Sequence, residues 1–380
     1  MKFLHIADLH LDRDFEGLVQ KTLWKPYEIL TDIVDFACSE KVDFVILAGD
    51  NFHKTKPSIK MQSYFIDQLN RLDELDIPVF MIFGNHDYYQ DNIYWFEFPS
   101  NVKIFYSQDV ASKYFTLANG EKVAISAFSY ESPHILENKI IDYPDRYSDV
   151  DYHLGIFHGE IGGDKYAPAS LLEMKNKNYD YWALGHIHLT NQLADNIIYP
   201  GTPLGRTRKE VTSNIGLVTL TKTDLHVDLV DLAKTHFENL EVDLKEVSSL
   251  ALAMEKIQSS FVNKSSFYSV NLKNYESLKE EILAALKSDE LIDSLRAQGF
   301  IVVKIKLDQL DSKNDRIKLP SKLEHDYELT NLLEKLPKDA EVNNILTEDF
   351  KFELAEVVDK FIMDTFEEGN EDNENKKTRD

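Results

Sequence analysis

Five short apolar runs in the first half of the chain each end on a residue type that binds metal. KFLHIA is followed by Asp8-Leu9-His10, and DFVILAG by Asp50-Asn51-Phe52-His53. VFMIFG is followed by Asn85-His86-Asp87, HLGIF by His158-Gly159, and YDYWALG by His186-Ile187-His188. Asp8, His10, Asp50, Asn85, His158, His186 and His188 together offer nitrogen and oxygen donors and no thiolate. Such a set suits two divalent metal ions that share a carboxylate, Mn2+ first, Fe2+ or Zn2+ next. Calcium and magnesium prefer oxygen-rich sites, which four imidazoles are not. Two ions about 3.5–4 Å apart clamp the attacking and leaving oxygens of a phosphoryl transfer. One His or Asp at a strand end is usually a cap. Five in order call for a common cause.

For these side chains to meet, the runs must be neighbouring strands that open on one crevice. Lys2–Ala7, Asp43–Ala48, Val79–Phe83, Val123–Ala127, Tyr152–Phe157 and Asp180–Leu184 have the β-branched and aromatic content of strands. Trp24–Glu40 and Ser58–Leu75 have apolar residues at helical spacing. The start is therefore βαβαβ and the fold class α/β, with helices covering a largely buried sheet. Asn214–Leu220 and Leu225–Leu229 are close enough to form a hairpin that completes it. Three of the five ends follow a glycine, which lets backbone approach the site without a Cβ in the way.

The chain has 380 residues, 43% hydrophobic and 28% charged, enough for two domains or three. Its rhythm changes near Thr235. A metal domain over 1–235 is expected, then a smaller α+β domain over 236–315 and a mainly helical segment over 316–366. Residues 367–380 hold no large apolar side chain and are expected to be disordered. The single cysteine, Cys38, excludes an internal disulfide and a Cys-rich metal site. No phosphate loop GxxxxGK[ST] occurs, so ATP hydrolysis by this chain is not expected. No stretch suits a signal peptide or a membrane span, so a cytoplasmic protein is expected. Lys and Arg number 42 against 66 Asp and Glu, a net charge of −24. This argues against a broad, non-specific nucleic-acid surface.

In this order, D-x-H, G-D, G-N-H-D and G-H-x-H resemble the calcineurin-like metallophosphoesterase superfamily over about residues 1–210. ADLHL, GDNFH and FHGE look like the SbcD-type DNA-repair exonucleases, relatives of the meiotic-recombination nuclease, with the YhaO-like branch the nearer fit. The resemblance implies a metallophosphoesterase sandwich with an α+β capping domain. Asp8, His10, Asp50 and His188 would hold one ion, and Asp50, Asn85, His158 and His186 the other, Asp50 bridging. His86 would act on the phosphate without ligating metal, and Asp87 would orient it. His53 would lie within reach of a substrate phosphate. Lys54, beside Lys56 and Lys60, would suit a nucleic-acid backbone, as would Arg206 and Arg208 after the Tyr199–Pro203 turn. Tyr88 would stack on a base, whereas Trp95 and Phe96 read as structural.

The expected activity is metal-dependent exonuclease or endonuclease cleavage of DNA in repair or recombination. The implied partners are DNA, an SbcC/YhaN-like coiled-coil ATPase and a second copy of the chain. Two other readings compete: a cyclic-nucleotide or small phosphoester hydrolase, and a scaffold without activity. The ~145 residues beyond the core weigh against the first. The intact ligand positions weigh against the second.

Overall fold

The computed structural model describes residues 1–16, 25–91, 93–275 and 278–307. The segments expected over 316–366 and 367–380 lie outside them. The chain opens with β1 (Lys2–Ile6), α1 (Ile29–Glu40), β2 (Phe44–Ala48), α2 (Ile59–Asp73), β3 (Val79–Ile82) and β4 (Val102–Ile104). These four strands are parallel neighbours in the order β1-β2-β3-β4. The next strands are β5 (Ala111–Thr116), β6 (Lys122–Ala127) and β7 (Tyr152–His158). After α3 (Leu171–Asn176) come β8 (Tyr181–Gly185), β9 (Asn191–Ala194) and β10 (Ile197–Tyr199). They form a second sheet ordered β5-β6-β7-β8-β10-β9. The hairpin of β11 (Ile215–Leu220) and β12 (Leu225–Val230) returns to the first sheet, β11 antiparallel to β1.

Strand periodicity explains the layering. Phe3, Phe44, Ile46, Phe80 and Ile82 face the second sheet, against Val123, Ile125, Leu154, Ile156 and Tyr181. Their neighbours Leu4, Ile6, Val45, Leu47 and Met81 face α1 and α2, against Ile29, Ile33, Phe65 and Leu69. A parallel strand buried on both faces has no polar alternation, hence the unbroken runs in the sequence. The outer face of the second sheet is covered as well, around Tyr143, Phe157 and Trp182. Each such fully buried side chain contributes ~1.5–3 kcal/mol, so the strand ends stand on a rigid base. The mixed α/β architecture expected of a metallophosphoesterase sandwich is the one observed.

A third sheet follows, built from β13 (Phe237–Asp243), α4 (Leu250–Ser259), β14 (Phe267–Lys273), α5 (Glu280–Leu286), α6 (Asp289–Ala297) and β15 (Ile301–Leu307). All three strands are parallel, in the order β13-β14-β15. Its own core gathers Val242, Ile257, Tyr268, Val270 and Leu295. Phe237 and Phe267 stack at 4.8 Å, and Phe15 meets Phe267 at 4.5 Å, continuing the core of the first sheet. The sequence reading misses β13 because FENLEVD buries only Phe237 and Val242. No helix among the described residues is long and apolar enough to cross a membrane.

Candidate metal centre

The five strand ends converge through unusual backbone. Asp8, His10, Asp50 and His186 have φ of 53°, 40°, 51° and 102°. Left-handed backbone at non-glycine residues costs ~1–3 kcal/mol each and persists only where surroundings enforce it. Here the ends of β1 and β2 stay bonded past the strands. Asp8 N–H donates to Gly49 O at 3.1 Å and His10 N–H to Asp50 O at 3.0 Å. Asp8 Oδ1 and Oδ2 both accept from the His186 N–H at 3.1 Å, and Asp50 Oδ1 accepts from the His86 N–H at 2.9 Å. Gly84 is required by space: a Cβ there would lie 2.2 Å from Asp50 Oδ1 and 2.7 Å from His158 Nε2.

All seven candidate ligands come together. His10 Nε2 and His188 Nε2 are 3.0 Å apart. Asp50 Oδ2 lies 3.7 Å from His10 Nε2 and 3.5 Å from His158 Nε2. Asn85 Oδ1 lies 3.0 Å from both His158 Nε2 and His186 Nδ1. Donor atoms of Asp8, His10 and His188 lie within 4.8 Å of one another, as do those of Asp8, Asp50 and His158. Two tautomers follow from the outer contacts. His158 Nδ1–H donates to Ala48 O at 2.9 Å, and His188 Nδ1–H donates to Glu210 Oε1 at 2.6 Å. Both Nε2 atoms therefore point inward, and in the neutral rings they carry the lone pair that a metal ligand requires.

The charges also call for cations. Asp8 and Asp50 are fully buried side by side. Burial raises Asp8 to about 6. Burial pushes Asp50 up too, but His158 overrides it and holds Asp50 well below the carboxylate range. In return Asp50 overcomes the burial of His158 and lifts that imidazole to about 9. A proton on His158 offsets only part of two buried carboxylates, and divalent ions would offset both. The residues fit a pair of such ions.

His53 and His86 stand beside the ligands with rings stacked 4.8 Å apart, 5.4 and 5.0 Å from the His10 ring. Burial lowers both, His53 to about 4. Asp87 does not hold the His86 ring. Its carboxylate accepts from Gly84 N–H (2.7 Å), Asn51 N–H (2.9 Å) and Asn51 Nδ2 (2.9 Å), tying the turns after β2 and β3 together. The orienting role expected for Asp87 is corrected to a loop-locking one.

Arg206 is also corrected. It is 1% exposed, and its guanidinium donates to Leu9 O (2.7 Å), Leu204 O (3.0 Å) and Arg13 O (3.1 Å). A side chain so engaged has no fork left for phosphate. It frames the Leu9–Arg13 turn that carries His10. Arg208 pairs with Glu16 at 3.7 Å, Lys54 is exposed, and Tyr88 packs half-buried against the outer core.

Glu210 is the functional residue that the sequence reading misses. Besides His188 it accepts from Arg206 N–H (2.6 Å) and Thr207 N–H (3.1 Å), and it pairs with Arg13 at 3.3 Å. Burial raises it, yet His188 outweighs burial and brings it to about 2. The available signal is chemical: a ligating His wants a carboxylate behind it.

Comparison with known proteins agrees with this geometry. Residues 1–189 match the family model described as calcineurin-like phosphoesterase. The Bacillus subtilis metallophosphoesterase YhaO is 32% identical over 319 residues, 78% of each chain. The DNA double-strand break repair protein Mre11 of Methanocaldococcus jannaschii is 26% identical over 322 residues, 77% of this chain and 84% of its own. The SbcD component of the nuclease SbcCD of Bacillus subtilis is 26% identical over 154 residues, 37% of this chain. The chain is a member of the calcineurin-like phosphoesterase family, a metallophosphoesterase related to YhaO, Mre11 and the SbcD component of the SbcCD nuclease.

Proposed function

We propose that the protein is a metal-dependent DNA nuclease, cutting phosphodiester bonds in repair or recombination. The carrying observation is the stacked pair His53 and His86 beside seven convergent ligand side chains, with Lys54 exposed just beyond. Two relatives named for DNA break repair and nuclease action support the choice of substrate. Two divalent ions, Mn2+ best among them, would supply Lewis-acid charge and an activated water.

The chain's own residues do the rest. Asp8, His10, Asp50 and His188 would hold one ion, and Asp50, Asn85, His158 and His186 the other. Glu210 and Ala48 O fix the tautomers of His188 and His158. His86 offers an N–H to the scissile phosphate or its leaving oxygen, worth ~10²–10⁴-fold. His53 stacks behind it and orients it. The sheet and helices after Thr235 shape DNA access, and residues 316–366 dock a coiled-coil ATPase partner. A second copy completes the assembly.

A small phosphoester hydrolase is the second reading, favoured by the net charge of −24. End-labelled DNA and a chromogenic phosphodiester, each with Mn2+ and with EDTA, separate the two. The nuclease reading expects metal-dependent release of nucleotides. Turnover of the chromogenic ester alone supports the second.

A further inference from the structure

The loop after the Asn85-His86-Asp87 turn leaves aromatic surface in water. Trp95 is 71% exposed and Phe96 36%, against the expectation that both are structural. A tryptophan ordinarily buries most of its area. The loop is nevertheless anchored. Gln62, 1% exposed, donates to Pro57 O (3.0 Å) and Ile93 O (3.1 Å) and accepts from the Trp95 N–H (2.8 Å). Tyr94 behind it packs on Phe83 and Phe98 at 5.7 and 5.3 Å. One buried amide thus clamps the aromatic loop to the segment that begins with His53. On that segment and the first turn of α2, Lys54, Lys56 and Lys60 are exposed. In a chain of net charge −24 this is a local concentration of cations. Of the carboxylates on the loop, Asp91 is bound by the Tyr89 hydroxyl at 3.0 Å and Glu97 is exposed.

We propose that this ledge takes the unpaired bases of a single-stranded nucleic-acid end. Trp95 stacks on a base while Lys54 and Lys56 follow the phosphates that lead to His53; Lys60 sits over the Tyr27 ring at 5.6 Å. The inference rests on the nuclease reading and narrows its substrate. Bases inside a duplex already stack on one another and offer no face to an indole, whereas an unpaired base does. Lysines suit phosphates without reading sequence. A second copy fits the ledge less well, because a twofold contact would set the lysines of one copy near those of the other.

The test is equilibrium binding in EDTA, where no hydrolysis occurs, with labelled oligothymidylate and a blunt duplex of equal length. Trp95→Ala should raise the Kd for oligothymidylate about 5- to 150-fold, the stacking of one base, with little change for the duplex. Trp95→Tyr should restore most of the affinity. Lys54→Gln with Lys56→Gln should flatten the salt dependence by ~0.7 for each phosphate that the lysines no longer neutralise. If wild type digests DNA but Trp95→Ala binds oligothymidylate as wild type does, the ledge fails and the nuclease reading stands. If wild type neither binds nor digests any DNA, both fail. If Trp95→Ala turns a dimer into a monomer in sedimentation and leaves oligothymidylate affinity unchanged, a second copy covers the ledge and the proposal is wrong.

Discussion

Replacing Glu210 should weaken one metal site and spare the other. His188 Nδ1–H meets Glu210 Oε1 at 2.6 Å, while Oε2 accepts the N–H groups of Arg206 and Thr207. In Glu210→Gln those two backbone donors demand the amide oxygen. The NH2 group then faces His188 Nδ1 and forces the proton onto Nε2, the atom that must hold metal. Outer carboxylates of this kind are worth about 10- to 100-fold in metal affinity, or ~1.4–2.7 kcal/mol. Calorimetric titration of the metal-stripped protein with Mn2+ would read this directly. Wild type should show two sites; Glu210→Gln should show one unchanged and one weakened by that factor. Circular dichroism and a melting curve would confirm an intact fold. Two unchanged sites would refute the tautomer argument. Equal weakening of both sites with a lowered melting midpoint would show that Glu210 only props the Leu204–Glu210 segment.

Further outcomes follow from the same geometry. Asp50→Ala should abolish both metal sites, since one oxygen reaches toward His10 and His158, while Asp8→Ala keeps one; equal stoichiometry in the two variants contradicts the bridge. Gly84→Ala should lose tight Mn2+ binding, because the new methyl falls 2.2 Å from Asp50 Oδ1; retained binding would mean the turn yields freely. His5, buried between Tyr181 OH (2.9 Å) and Leu184 O (3.0 Å), is lowered to about 3 by burial. The unfolded chain takes up this proton near its ordinary value of 6.5 and the folded chain does not, so stability is present above that value and falls with acid. By about pH 5 the loss is ~2 kcal/mol, and urea unfolding of His5→Gln should lack that share of the acid slope. An identical slope would show that His5 is not the sensor.

The ligands were legible because parallel strands buried on both faces hold few polar residues before they end, His5, Ser126 and His153 being the buried exceptions. A polar residue right after such a run is therefore conspicuous, and Asp8, Asp50, Asn85, His158 and His186 all stand out in this way. The sheet edges were not legible: β5 reads ASKYFT and buries almost nothing. Arg206 was misread because a sequence shows a cation near a site but not the three carbonyls that surround it. Asp87 was misread for the same reason, adjacency to His86 standing in for contact. Glu210 hid in the charged run Arg208-Lys209-Glu210, where nothing local marks it from a solvated residue. Trp95 shows the opposite error, since a tryptophan between Tyr94 and Phe96 reads as core until its exposure is measured.

The most direct test of the central claim is digestion of end-labelled DNA by wild type and by His86→Gln, each after metal analysis and with Mn2+ or EDTA. The account predicts that both proteins carry two ions, that wild type degrades DNA with Mn2+ and not with EDTA, and that His86→Gln loses ~10²–10⁴-fold in rate. Full wild-type digestion in EDTA, or a His86→Gln variant that either loses an ion or digests DNA at the wild-type rate, would contradict it.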